Sequence, residues 1–377
     1  MSTSTALIVG GGIGGLSAAI ALSDAGCEVT VVERHADVHS SVYGVGIIQP
    51  VNALRALAAI GCADACIEAG YPAEGWGKMY DVDGVFLHAM PGAVIEGSGL
   101  PPLNGVTRPK LHEILTERAH DAGVDIRYGT SFTTLEQDDD AVTVTLTDGQ
   151  VARVDLVVGA DGVRSQVRRE VFGSQLQPRY IGQSAYRVNV PLDPEIDRII
   201  LQAGPEGMAG FVPIGKDLAY FFYNAQMERP PHEDRRDLVA ELREHLRPFA
   251  GLTARARDEW IDGSSEIVLR PEESLILPGP WHRGRVVLLG DAVHAITPHL
   301  GQGAAQAIED AVVLAEEVSR QGATDAAFQA YLHRRFERCE LIVQTSLNIG
   351  EWEMGRLEGF DNVAATNHVL EVMARPL

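Results

Sequence analysis

A glycine-rich turn near the N terminus has the residue types that hold a dinucleotide. The segment GGGIGG, residues 10–15, follows an apolar strand predicted over Ala6–Val9 and precedes a helix predicted over Leu16–Ala25. Glycines allow a sharp turn and a close approach of the backbone to a diphosphate, and the N–H groups at the helix start attract negative charge. Glu33 closes the next predicted strand, where an acid accepts hydrogen bonds from ribose hydroxyls. This spacing predicts FAD or NAD rather than NADP, with a purely structural turn as the alternative.

A second glycine-rich segment, GDAVHAITPHLGQGA, covers residues 290–304. Asp291 follows a buried strand predicted over Val286–Leu289, at the sheet edge where ligands bind, and its carboxylate accepts hydrogen bonds either from hydroxyls or as a helix cap. Residues 301–304 precede a predicted helix, whose first N–H groups are free donors. Because the first turn already accounts for a diphosphate, this segment is predicted to hold a ring that gains negative charge during reaction, as a reduced flavin does.

Three side chains are candidates for contacts with a substrate. Arg187 lies in a predicted strand and suits a substrate carboxylate, with a salt bridge between lobes as the alternative. His299 adjoins Pro298 in the second glycine-rich segment, so it contacts substrate or flavin unless its role is structural. Tyr220 shares a strand face with Phe222, which is either core or pocket wall. The sequence identifies no catalytic base.

An α/β layer has to position these groups. Thr107 is predicted to cap a helix that begins with Arg108 and ends at Gly123, and aromatic-rich strands over Tyr180–Ala225 predict an antiparallel sheet. An exposed helix is predicted over Glu233–Arg247, and the chain after residue 289 is mostly helical. Further strands are predicted over Gly77–Asp81, Gly84–His88, Asp125–Tyr128, Phe132–Glu136, Val142–Thr147 and Val154–Val158.

The predicted fold class is therefore α/β, with a Rossmann-like FAD-binding domain interrupted by a mostly antiparallel β-sheet substrate lobe and followed by a helical C terminus. The FAD-binding domain is predicted to comprise residues 1–72, 101–175 and 271–377. The substrate lobe is predicted to comprise residues 73–100 and 176–270.

Composition excludes several classes of partner. The chain has 377 residues, 45% of them hydrophobic, and a formal charge of −21 without any basic run, which argues against nucleic acid or an anionic membrane as partner. MSTSTALIVGGG is no signal peptide, and no run approaches the roughly 20 apolar residues of a membrane helix, so a cytoplasmic protein is expected. Cys62 and Cys66 lie one helical turn apart without further ligands nearby, so we expect buried thiols rather than a metal site.

Three motifs together resemble the FAD-dependent aromatic hydroxylases, single-component flavoprotein monooxygenases similar to p-hydroxybenzoate and salicylate hydroxylases. They are GGGIGG with Glu33, GADGVRSQVRR over residues 159–169, and GRVVLLGDAVHAITPHLGQG over residues 284–303. The resemblance spans essentially the whole chain. It implies that NADH or NADPH, visiting transiently, reduces FAD, that O2 then forms a C4a-hydroperoxide, and that its distal oxygen is transferred to an electron-rich aromatic or heteroaromatic ring.

The resemblance also implies residue roles. Glycines of the first turn and Glu33 hold the ADP half of FAD, Arg108 contacts the diphosphate or ribityl region, and Asp161 with Gly162, supported by Arg168, serves FAD and the nicotinamide cofactor. Asp291 binds the ribityl region, and residues 298–304 lie along the flavin ring; Ala304 departs from the family, because many relatives carry Asn there. The predicted cofactor contacts are Gly10, Gly12, Ile13, Gly14, Gly15, Glu33, Arg34, Arg108, Phe132, Asp161, Gly162, Asp291, Pro298, Gly301, Gln302, Gly303 and Ala304.

Other functions remain open at this stage. A flavoenzyme of different chemistry, such as epoxidation, Baeyer-Villiger insertion or oxidative decarboxylation, would use the same motifs. A nicotinamide-only dehydrogenase would leave residues 291–304 without a role, and a non-catalytic binding protein is compatible with any such fold. Arg34 is either an adenine neighbour or a surface residue, and the protein is expected to be a monomer or a homodimer.

Overall fold

The computed structural model describes residues 4–37, 46–231 and 237–377. Strands and helices alternate along the first third of these residues, strands dominate the middle and helices dominate the end. The strands are β1 (Thr5–Val9), β2 (Glu28–Glu33), β3 (Gly46–Pro50), β4 (Tyr71–Ala73), β5 (Gly77–Tyr80), β6 (Phe86–Met90), β7 (Leu103–Thr107), β8 (Asp125–Tyr128), β9 (Phe132–Gln137), β10 (Val142–Leu146), β11 (Val151–Val154), β12 (Leu156–Gly159), β13 (Arg179–Pro191), β14 (Ile199–Ala203), β15 (Gly207–Pro213), β16 (Leu218–Gln226), β17 (Val268–Ser274), β18 (His282–Arg283) and β19 (Val286–Leu288).

The helices include one short π-helical turn, over Ala256–Trp260, and 3-10 turns over Gly290–Ala292 and Pro298–Leu300. The α-helices are α1 (Ile13–Asp24), α2 (Val51–Ala59), α3 (Ala63–Ala69), α4 (Arg108–Asp121), α5 (Gln166–Phe172), α6 (Leu238–His245), α7 (Gly251–Arg255), α8 (Gly303–Gln321), α9 (Asp325–Glu353) and α10 (Asn362–Ala374).

A six-stranded sheet forms the cofactor side of the molecule. Its order is β18-β19-β12-β1-β2-β8, and all neighbours except β18 and β19 are parallel. β1, β12 and β19 are almost wholly buried, as expected of parallel strands covered on both faces. α1 packs against α8 and α4 on one face, which places the start of α8 beside the start of α1.

A seven-stranded sheet forms the second part, in the order β17-β13-β16-β15-β14-β5-β6. Only the β14–β5 pair is parallel, so the mostly antiparallel sheet expected from the sequence is confirmed. One face packs on α6 and α7 through a core that contains Tyr186, Phe221 and Tyr223. The opposite face carries Tyr220 and Phe222 and is free of that core. The predicted boundary between residues 270 and 271 falls inside β17.

One predicted strand is wrong. The sequence suggests a single strand over Val154–Val158, whereas the structure divides this stretch between β11 and β12. β11 closes a three-stranded antiparallel sheet with β10 and β9, and β12 crosses into the parallel sheet. The continuous apolar run hides the break, because Asp155 is the only polar residue in it and its carboxylate accepts hydrogen bonds from the backbone N–H and the hydroxyl of Thr5.

Three long stretches of the end of the chain are helical, as predicted. The helix predicted over Glu233–Arg247 is observed only as α6, and residues 232–236 lie outside the described ranges. The sequence analysis did not identify the small sheet β3-β7-β4. Cys62 and Cys66 are buried, as expected. In the described part of the chain, no helix has both the length and the apolarity needed to cross a membrane.

Candidate active site

A deep cleft opens where three neighbouring parallel strands end. GGGIGG follows β1, GADG follows β12, and GDAV follows β19, so the order of the strands brings all three motifs to one sheet edge. The residues around the cleft include ten of the predicted cofactor contacts. These ten are Gly12, Ile13, Gly14, Arg108, Gly162, Asp291, Pro298, Gly301, Gly303 and Ala304.

The glycines of the cleft are of two kinds. At Gly15 a Cβ would lie 1.9 Å from the carbonyl oxygen of Gly10, so this position must be glycine for the turn and α1 to pack. At Gly12 and Gly303, by contrast, a Cβ would meet no atom within 4 Å, and neither has a positive φ. The protein itself therefore does not require glycine at these two positions. Both leave open space at the start of a helix, which fits a diphosphate at α1 and the flavin ring of FAD at α8.

The first turn is held from below by two side chains. Glu33 accepts hydrogen bonds from the backbone N–H groups of Gly11 (2.7 Å) and His35 (2.9 Å), so its carboxylate lies at the turn, while its contact with ribose hydroxyls stays a prediction. His112, in α4, lies with Nε2 2.8 Å from the carbonyl oxygen of Gly11. Burial lowers the pKa of His112, so the ring is neutral and donates from Nε2 to this carbonyl. His112 was not among the residues predicted from the sequence. Its position four residues after Arg108 on one helix could have indicated that it lies near the cofactor.

The GADG motif is tied to the GDAV motif by a buried arginine. Arg168 donates hydrogen bonds to the carbonyl oxygens of Val163 (2.8 Å) and Ala292 (2.7 Å) and is fully buried. The carboxylate of Asp161 accepts hydrogen bonds from the backbone N–H groups of Gln166 and Val167 and so supports the start of α5, whose N-cap residue is Ser165. Gly162 lies on the cleft wall, whereas the Asp161 side chain is committed to the start of α5.

A buried ionic network holds the GDAV loop from behind. Asp310, in α8, accepts hydrogen bonds from the backbone N–H of Gly290 (2.9 Å) and from Nε2 of His294 (2.6 Å). Arg335, in α9, donates to the other oxygen of Asp310 at 2.7 Å. The neighbouring His294 and Arg335 lower the pKa of Asp310 to about 2 despite its burial, while Asp310 and Cys339 raise the pKa of His294. His294 is therefore held by Asp310 in the same network, three residues after Asp291.

Positive side chains in the cleft offset the acidic character of the chain. Burial lowers the pKa of Arg108, but the carboxylate of Asp291 opposes this, and the guanidinium stays charged at neutral pH. Asp291 is accessible from the cleft, yet the surrounding protein raises its pKa. Arg108 and Arg187 both line the cleft, so a diphosphate or an electron-rich flavin meets local positive charge.

A largely apolar cavity adjoins the cleft. The two share Ile48, Arg187, Tyr220 and Pro298, so a molecule in the cavity lies beside the segment predicted to hold the flavin. The cavity lies on the face of the seven-stranded sheet that carries Tyr220 and Phe222. Its other apolar walls come from Trp76, Met90, Ile199, Leu201, Met208 and Ile349.

His299 is held in a polar cluster at the edge of this cavity. Its imidazole is fully buried, with Nδ1 3.0 Å from Thr297 Oγ1 and Nε2 3.2 Å from Gln183 Oε1. Carboxylate oxygens of Glu272 and Glu353 each lie 3.5 Å from Nε2. Although burial alone would lower it, these two carboxylates raise the pKa of His299 to about 9. The imidazole is therefore charged at neutral pH and is no general base there.

Arg187 and Tyr220 are both placed on the cavity wall. In the described ranges Arg187 makes no salt bridge or hydrogen bond, so the salt bridge that the sequence left open is not found. Burial raises the pKa of Tyr220 to about 12, so it is a neutral phenol that donates or accepts a hydrogen bond. The structure thus brings Arg187, Tyr220 and His299 to one cavity.

The other seven predicted cofactor contacts do not line the cleft: Gly10, Gly15, Glu33, Arg34, Phe132, Asp161 and Gln302. The Gln302 side chain is buried in a hydrogen-bond network with Asn52 and Gln306, which leaves only its backbone for a contact with the flavin. Phe132 packs in the main core, and its contact with the cofactor stays a prediction. Arg34 is exposed on the surface.

Known proteins share this architecture and these motifs. Residues 3–346 match the FAD binding domain family. By class, then, the molecule is an FAD-dependent monooxygenase that uses NADH or NADPH as reductant. More particularly, the chain belongs to the FAD-dependent aromatic hydroxylase family.

Two relatives and one solved structure illustrate the family. A 2-heptyl-3-hydroxy-4(1H)-quinolone synthase of Pseudomonas aeruginosa (strain UCBPP-PA14) is 35% identical over 357 residues, 93% of this chain and 90% of that protein. A 6-hydroxynicotinate 3-monooxygenase of Pseudomonas fluorescens is 32% identical over 355 residues, 90% of this chain and 89% of that protein. Klebsiella pneumoniae HpxO, solved with FAD and uric acid, superimposes with a TM-score of 0.82 at 27% identity, covering 98% of this chain and 92% of that chain.

Proposed function

We propose that this enzyme hydroxylates a small heteroaromatic ring, with O2 as oxidant and NADH or NADPH as reductant, in the cytoplasm. The observation that carries the proposal is the cavity, which shares Arg187, Tyr220 and Pro298 with the cofactor cleft. A ring bound there lies against the segment that would hold the flavin. The compounds in the names of the relatives, a quinolone that one of them makes and the hydroxynicotinate and urate on which two others act, are all nitrogen heterocycles and support the choice of ring.

The protein's own groups have three tasks. Bound FAD supplies hydride acceptance and O2 activation, so that ring C–H, O2, NAD(P)H and a proton give ring C–OH, NAD(P)+ and water. Gly12, Gly303 and Arg108 hold the cofactor through backbone donors and positive charge. The apolar cavity walls exclude water, which protects the activated oxygen from wasteful release as hydrogen peroxide. Arg187 and Tyr220 orient the ring through an oxygen substituent.

A panel of heteroaromatic compounds tests this proposal. The FAD-loaded enzyme is incubated with NADH or NADPH and each compound, and nicotinamide oxidation, hydroxylated product and hydrogen peroxide are measured together. At least one nitrogen heterocycle is expected to stimulate nicotinamide oxidation, with product formed in near-equal amount. Stimulation by non-aromatic ketones or alkenes alone, with oxygenated product, would instead establish a different flavin chemistry.

A further inference from the structure

Glu353, the last residue of α9, presents a carboxylate to the cavity. One oxygen, Oε2, accepts hydrogen bonds from Gln183 Nε2 (3.0 Å) and Asn224 Nδ2 (3.2 Å) and lies 3.5 Å from His299 Nε2. These three contacts fix the side chain, which is only 6% exposed. The other oxygen, Oε1, has no hydrogen-bond partner in the part of the chain that the structure describes.

The cavity thus contains two charged groups of opposite sign that do not pair with each other. Arg187 and Glu353 both line it, and neither Arg187 nor Glu353 Oε1 has a partner among the described residues. Both carboxylate oxygens of Glu272 are sealed off by protein atoms, whereas Glu353 Oε1 is not and its residue lines the cavity. A carboxylate oxygen without a partner beside a largely apolar cavity is costly, so it favours a bound group that donates a hydrogen bond to it. A molecule between the two residues would give a donor to Glu353 and an acceptor to Arg187.

We propose that Glu353 determines substrate specificity by accepting a hydrogen bond from a ring N–H or O–H, while Arg187 binds an oxygen of the same ring. This inference rests on the proposed heteroaromatic substrate and narrows it. Pyridone-like and quinolone-like rings carry an N–H conjugated with a carbonyl oxygen and meet both requirements. A ring whose carboxylate points toward Glu353 is repelled by it.

Methylation of the ring nitrogen is the simplest way to test the donor. An N-methyl ring keeps the carbonyl oxygen for Arg187 but leaves Glu353 Oε1 unpaired. Sites that hydrogen-bond a substrate donor discriminate strongly against analogues that lack it. For a bond to a charged acceptor we expect the N–H compound to bind at least about tenfold more tightly than its N-methyl partner.

The experiment measures binding by titration calorimetry on the FAD-loaded enzyme without NADH or NADPH. The probes are 4(1H)-quinolone against 1-methyl-4-quinolone, and 2(1H)-pyridone against 1-methyl-2-pyridone. Wild type is compared with Glu353→Gln, which keeps the shape of the side chain but removes its charge. Glu272→Gln is the matched control, because Glu272 is an equally buried neighbour of His299 whose carboxylate does not line the cavity.

The preference for the N–H compound is expected to fall to about threefold or less in Glu353→Gln and to stay at the wild-type value in Glu272→Gln. An unchanged preference in Glu353→Gln would overturn the assignment, because Glu353 would then not accept the hydrogen bond. An equal loss in both variants would also overturn it, because the total negative charge around His299 would then be responsible. If Glu353→Gln loses FAD or fails to fold, Glu353→Asp is used instead, because it retracts the carboxylate while keeping its charge. Glu353→Asp must then show the same loss of preference for the N–H compound. If rings bind and are hydroxylated without any N–H preference, this inference fails alone; if no ring binds, the proposed function fails first.

Discussion

The cofactor cleft and the substrate cavity lie side by side but are built differently. The cleft is made of backbone at the ends of β1, β12 and β19, with open space where Gly12 and Gly303 lack a side chain. The cavity is made of side chains from β13, β16, α9 and the Pro298–Leu300 turn, held by buried hydrogen bonds and charges. The cleft is therefore suited to a dinucleotide held by backbone groups, and the cavity to a substrate selected by its side chains.

Breaking the cleft should abolish cofactor binding without unfolding the protein. Gly12→Val places a branched side chain in the open space, and the extended backbone at Gly12 accepts any residue. We expect FAD affinity to fall at least 100-fold, about 2.7 kcal/mol, measured by fluorescence titration of the apoprotein. The free energy of unfolding in urea should change by no more than about 1 kcal/mol, since the position is a helix N-cap without a side-chain hydrogen bond.

Gly263→Val is the control for that substitution, because a Cβ at exposed Gly263 also meets no atom within 4 Å. It should leave FAD affinity unchanged. Full FAD binding by Gly12→Val would mean that the first turn does not hold the diphosphate.

Breaking the cavity should spare the cofactor. Arg187→Gln removes the cationic donor without changing the strand, so substrate dissociation constants should rise about 10- to 100-fold for rings with an oxygen substituent. FAD content, read from visible absorbance, should equal that of wild type. Arg179→Gln, an exposed arginine on the same strand, serves as control. A comparable loss of FAD in Arg187→Gln would show that Arg187, which lines both the cleft and the cavity, is needed to hold the cofactor.

The charge of the cavity cluster should appear in the pH dependence of stability. The pKa of His299 is raised from 6.5 to about 9 by Glu272 and Glu353, with Arg187 opposing. The folded protein therefore binds this proton more tightly than the unfolded chain. The resulting stabilisation is complete below pH 6.5 and is lost as the pH rises through about 9.

His299→Gln isolates this contribution. Free energies of unfolding are measured by urea titration of both proteins from pH 6 to pH 10. The free energy of unfolding of wild type minus that of the variant should be about 1–3 kcal/mol smaller at pH 10 than at pH 6. A difference that is independent of pH would mean that folding does not raise the pKa of His299.

The contrast between the two regions also explains what the sequence reveals. GGGIGG and GDAV each follow a buried strand that the sequence predicts, so local spacing was enough to place them at the end of a strand, whereas the role of GADG came from the family resemblance. Alternation in β13 and β16 correctly separated Tyr220 and Phe222 from Phe221 and Tyr223.

The partners of His299 were beyond such local signals. Glu272 and Glu353 lie far from it in the sequence. Glu272 comes near because β17 pairs with β13, and Glu353 because α9 packs against β13 and the Pro298–Leu300 turn. The same holds for Arg335, which lies on α9 and donates a hydrogen bond to Asp310 on the neighbouring helix α8. Periodicity shows that such a residue is on a helix but not which distant polar group it meets.

A crystal structure of the protein reconstituted with FAD tests the central claim most directly. The account predicts one FAD that spans the cleft, with its diphosphate against the N–H groups at the start of α1 and its ring against Gly303 at the start of α8. The ring edge should then border the cavity at Pro298. An FAD that contacts only one of the two helix starts, or a flavin ring separated from the cavity, would contradict the account.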